Sequence, residues 1–151
     1  MMHGKNFIHR RINPIHILPI TDENNLIKEV KISGFRYANS EVLSEKNEMP
    51  SIINENAILF VDPRGKMAGF TESSDIWSIG MVIYYMTYGV LPSKEPQELL
   101  KIRDEGRLNL PYDLDGNIKD FLNFCVRKRS IGELSNKLLK EELLKEKILI
   151  F

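Results

Sequence analysis

SSDIWSIGMVIYYMTYGVLP, residues 73–92, decides the fold. Its apolar residues fall on nearly every side of a helical wheel, so the sequence predicts a helix surrounded by protein rather than one lying on a surface. Ser73 or Ser74 can cap a helix beginning at Asp75 or Ile76, and Gly89 with Pro92 can end it. The apolar run 76–91 is shorter than the ~20 residues of a membrane span and contains Ser, Thr and Gly. Asp75 is out of place at the head of so apolar a helix, unless it caps backbone groups there.

Downstream of this helix, PQELLKIRDEG (96–106) carries Pro in its first turn and Gly after its last, a second helix. NIKDFLNFCVRK (117–128) sets Ile118, Phe121, Leu122 and Cys125 on one face, a third. IGELSNKLLKEELLKEKILI (131–150) is rich in helix formers and amphipathic, a fourth. Upstream, IHILPI (15–20) and LIKEVKI (26–32) flank the polar TDENN, a β-hairpin pattern. Residues 36–56 are polar and irregular, which predicts a long loop.

Composition excludes several classes. Of 151 residues, 21 are Lys or Arg and 21 Asp or Glu, so no basic excess points to nucleic acid or an anionic membrane. Cys125 is the sole cysteine, expected as a small buried hydrophobe in a reducing intracellular, cytoplasmic setting. No apolar stretch near the N-terminus suggests a signal peptide. His3, His9 and His16 lie six and seven apart, against the three or four that a metal pair on one helix face needs, so no metal site is expected.

Five short motifs, in order, carry a resemblance to the C-terminal lobe of a protein kinase. His9-Arg10 followed by Pro14 resembles the catalytic loop, H-R-D-L-x-x-x-N. Gly34-Phe35-Arg36 sits where the family has D-F-G, and Asp62-Pro63-Arg64 where it has A-P-E. SSDIWSIG (73–80) is similar to the start of the family's central helix, and YGVLP (88–92) to the turn after it. Ile12-Asn13-Pro14 leans toward the Ser/Thr branch. The resemblance implies a mainly α (α+β) fold: a kinase-like C-lobe with a small β-hairpin and a long activation-like loop. It implies one truncated domain over 1–151, with 34–64 as a degenerate activation-like segment. Nothing resembles the Gly-rich loop, lysine strand or hinge, so the N-lobe is expected to be absent; MHGKNFIHR looks like the tail of the helix before the catalytic loop.

The resemblance also implies what has been exchanged. Phosphoryl transfer rests on positioning and charge. Arg11 stands at the position of the catalytic base, and a guanidinium cannot accept a proton. Asn13 replaces the loop lysine. His16 replaces the amide that binds Mg²⁺, and imidazole suits softer metals. Gly34 replaces the metal-binding carboxylate, and Ala57 the threonine before A-P-E. Arg64 reverses the charge of the A-P-E glutamate, whose usual partner in the family is an arginine; Arg129 is the nearest here, and two arginines cannot pair. His9, Phe35, Asp75, Trp77 and Gly80 match the packed framework, and Leu18, Val82 and Met86 suit the core under the adenine site. The expectation is therefore an inactive, pseudokinase-like C-lobe with no cofactor, acting by protein binding or self-association through an exposed upper face around Ile15, Ile17, Leu18 and Phe35. ATP and Mg²⁺ are expected only if the alternative holds, a Ser/Thr kinase from a truncated or split gene; a decayed gene product is the third option. Arg10-Arg11 can hold a phosphorylated Ser40, Ser44 or Ser51, or be a solvated basic pair. The KLLKEELLKEK charges are a solvated face or a partner helix.

Overall fold

The computed structural model describes residues 7–40, 55–65 and 69–127. In chain order these form β1 (Phe7–Ile8), a 3₁₀ turn (Pro14–His16), β2 (Ile17–Thr21), β3 (Ile27–Ile32) and a second 3₁₀ turn (Phe35–Tyr37). Then come β4 (Asn39–Ser40), α1 (Glu55–Ile58), α2 (Glu72–Tyr88), α3 (Pro96–Glu105) and α4 (Gly116–Val126). The fold is mixed α+β. The sequence-predicted helix over 131–150 lies outside the described residues, as do His3, Ser44, Ser51 and Arg129.

Helix α2 starts earlier than the serines suggest. Thr71 is its N-cap, and Ser73 and Ser74 lie inside the first turn. Thr71 N donates to Ser74 Oγ (3.2 Å) while Ser74 N donates back to Thr71 O (2.9 Å), so the early start leaves both ends of that turn satisfied. Gly89 closes the helix in the left-handed region, its N–H bonded to Tyr85 O. Only the first two-thirds of α2 is enclosed: Trp77, Met81 and Val82 are buried, whereas Tyr85 and Met86 are exposed. Met86 and Leu18 are thus not part of the core, unlike Val82.

The core is built around that enclosed portion. Ile12, Phe60, Trp77, Met81, Val82, Leu99, Leu108, Leu122 and Val126 form one apolar cluster, bringing α2, α3 and α4 together beneath the His9–Leu18 segment. Gly80 lets α4 approach closely, because a Cβ there would lie 2.4 Å from Cys125 Cβ. Cys125 is buried, and Gly106 and Asp115 cap α3 and α4 as turn chemistry demands.

Strands β2 and β3 pair antiparallel, Ile17 opposite Ile32 and Pro19 opposite Val30, with a bulge beyond Ile20. Asp22 Oδ1 accepts from Asn24 N and Leu26 N and so folds the hairpin turn. Two parts of the expected picture change. Phe7–Ile8 is a strand, paired with Asn39–Ser40, rather than a helix tail. The stretch 36–56 is not wholly irregular: it holds most of the second 3₁₀ turn, β4 and the start of α1.

Candidate functional site

Asp75 is fully buried at the head of α2 and reaches the segment that follows β1. Its Oδ2 accepts from His9 N and its Oδ1 from Arg10 N, both at 2.8 Å. Arg10 has φ +69°, a left-handed backbone costly for a side chain of this kind. The two charge-assisted bonds hold it there. Burial holds the Arg10 guanidinium below its usual pKa, against the opposing pull of Asp75, and the guanidinium lies over the Phe70 ring at 5.0 Å.

His9 is fully buried beside this clamp. Arg11 N donates to His9 Nδ1 (3.3 Å), and His9 Nε2 lies 2.9 Å from Ser33 O. A carbonyl can only accept, so the ring proton sits on Nε2. His9 therefore ties the loop to the end of β3. Phe35 packs on its ring at 4.8 Å between centroids but remains half-exposed, so its place in a packed framework is only partial. Trp77 and Gly80 lie in the interior, as described above.

Of the residues that the resemblance sets at catalytic positions, Arg11 stacks over Tyr37 at 4.9 Å. Asn13 is buried and turns inward as a structural residue: its Oδ1 accepts from Ile15 N and its Nδ2 donates to Arg11 O. His16 and Gly34 are brought into contact. Gly34 has φ +85°, and a Cβ on it would lie 2.5 Å from His16 Cε1 and Nδ1 and 2.7 Å from Cγ. Burial first, and then the positive charge of Arg11, keep the His16 pKa below its usual value. Ala57 is buried. Among the described residues no group of three His, Cys, Asp or Glu side chains is placed to hold a metal ion, and no helix is long and apolar enough to cross a membrane.

Arg64, for which the sequence disclosed no partner, finds one in the fold. Arg64 pairs with Asp104 on α3, its Nε donating to Oδ1 at 2.6 Å. Next to it, Asp62 pairs with Arg103 at 3.0 Å, and both are almost wholly buried. The Arg103 guanidinium also donates to Ser73 Oγ (2.6 Å), Val126 O (3.3 Å) and Arg127 O (3.1 Å), and lies over Trp77. One side chain thus joins the 62–65 turn to α2, α3 and the end of α4. A signal existed: Arg103 follows Leu99 by four residues, a charge on the apolar stripe of α3.

No family model matches the chain. Individual proteins do. The STE20-related kinase adapter protein strd-1 of Caenorhabditis elegans is 30% identical over 124 residues, covering 75% of this chain and 29% of that protein. Ribosomal protein S6 kinase 2 alpha of Gallus gallus is 30% identical over 133 residues, 84% of this chain and 17% of its own length. Serine/threonine-protein kinase dkf-2 of Caenorhabditis briggsae is 29% identical over 99 residues, 65% of this chain and 8% of its own. The chain therefore spans less than a third of each of these relatives. Over the greater part of its length, this is a protein-kinase-like chain.

Proposed function

We propose that the chain is the C-lobe portion of a protein-kinase-like domain that acts by binding protein, as scaffold or adapter, and does not transfer phosphate. The observation that carries this is the contrast within one loop. His9 and Asp75 hold the loop backbone in place, while Arg11 presents a guanidinium where a base is required. A nucleotide with Mg²⁺ does not fit the residues present: Gly34 offers no side-chain carboxylate, and the His16 ring fills the space where one would begin. The likeness to an adapter protein supports the reading, alongside likeness to kinases.

Incubation of the full chain with labelled ATP, Mg²⁺ or Mn²⁺ and generic Ser/Thr substrates is expected to give no incorporation above that of a heat-denatured control. Incorporation that scales with native protein would overturn the proposal.

The binding face in this proposal is the hairpin. Ile15, Leu18, Leu26, Ile27, Val30 and Phe35 are all exposed around it, with Ile15 at 70%. Exposed apolar surface of this kind marks a partner site or self-association, and a net charge of zero does little to oppose contact. Sedimentation velocity over a concentration series is expected to show association, and a hydrophobic dye to bind; Ile15→Ser with Val30→Lys should reduce both. A wild-type chain that stays monomeric and dye-free would remove the hairpin as the binding face. An intracellular, cytoplasmic setting completes the proposal, supported by a sequence whose one cysteine, Cys125, is buried.

A further inference from the structure

His16 and Gly34 lie on different segments, yet each occupies the space the other would use. The missing side chain at 34 is not simply a vacancy. An ideal Cβ there would sit 2.5 Å from two atoms of the imidazole and 2.7 Å from its Cγ, all inside the separation that real contacts allow. The short distance to Cγ matters. It is the root of the ring that obstructs, so a twist about the ring axis does not clear it. The backbone that carries the ring is fixed on both sides, and Ser33 Oγ lies 3.5 Å from its Nδ1. Ser33 N donates to His16 O (2.9 Å), His16 N donates to Asn13 O (3.0 Å), and the His9 ring lies 6.3 Å away.

We propose that His16 and Gly34 form a steric interlock: the imidazole plugs the space above the β3 end, so that a carboxylate ligand for a divalent cation cannot be accommodated at position 34 while His16 is present. The proposal deepens the non-catalytic reading and rests on it for the meaning of the site, though not for the geometry. The electrostatics point the same way. Burial, and after it the Arg11 guanidinium, disfavour a positive charge on His16, and a cation beside it would meet the same burial and the same like charge. The site is thus filled as well as stripped, and its two exchanged residues depend on one another.

A double-mutant cycle on the full chain tests this, read as the folding equilibrium constant from urea titrations. Gly34→Ala adds only the Cβ. Part of its effect comes from the left-handed backbone, which is the same whichever residue stands at 16 and so cancels in the cycle. Gly34→Ala is expected to lower the folding constant at least ~10-fold more in the wild-type background than in the His16→Ala background, the size expected of overpacking. Gly34→Asp should follow the same pattern. Equal losses in the two backgrounds would overturn the interlock. The cycle contains no phosphoryl-transfer readout, so equal losses would leave the non-catalytic reading standing. Conversely, labelled-ATP incorporation would sink that reading without touching the cycle.

Discussion

Arg103→Met is expected to destabilise the chain by ~3–5 kcal/mol, the cost of leaving a buried charge without its partner. The stranded group is Asp62, which keeps almost no contact with water. Methionine preserves much of the apolar stem, so the loss reports the guanidinium and its bonds to Asp62, Ser73, Val126 and Arg127 rather than a cavity. The control is Arg103→Met with Asp62→Leu. Replacing both members of a buried pair by apolar side chains is often neutral or better, so the double variant should recover most of the stability. Arg64→Met should cost far less, because Asp104 is half-exposed and water can take over its solvation. Urea titrations of the three variants beside the wild type decide the matter. If Arg103→Met costs no more than Arg64→Met, the buried pair does not organise this part of the fold.

Asp75→Ala is expected to cost about 3 kcal/mol or more. Each backbone bond to a charged group contributes roughly 1.5–3 kcal/mol, and two are lost together. The N–H groups of His9 and Arg10 would be left without acceptors beneath the loop, and Arg10 would lose what holds its left-handed backbone. Arg10→Gly, which removes that strain, should therefore soften the effect of Asp75→Ala. A loss below ~0.5 kcal/mol would reduce Asp75 to a helix cap at the surface.

Much of this arrangement was legible because its signals are local. Gly89, Pro96 and Gly106 mark helix boundaries that need no knowledge of the rest of the chain. The start of α2 was misplaced by three or four residues for an instructive reason. Ser73 and Ser74 are good caps by residue type, but both hydroxyls are committed inside the first turn, one to Arg103 and the other to Thr71. The pairing of β1 with β4 was illegible, since two-residue strands far apart in sequence leave no periodicity to detect. The partner of Arg64 was sought by the family's habit, at Arg129. The actual partner, Asp104, lies 40 residues away on a helix whose orientation only the packed core sets. Nothing local at Gly34 disclosed that the His16 ring fills the space a Cβ there would need.

The hairpin leaves the chain with two grades of order. Strands β2 and β3 find their partners in each other, and most of their side chains face outward. A two-stranded ribbon is marginal by itself in water. The helical layer beneath holds it chiefly at its base, through His9 to Ser33 and through Ile17. The ribbon tip can therefore open while the helices stay folded, in the manner of a low-stability unit seen by hydrogen exchange. A protein that covers the ribbon would then both bind it and fold it. Part of the contact energy would go into ordering the strands, so affinity at this face would respond to hairpin sequence even at positions the partner never touches.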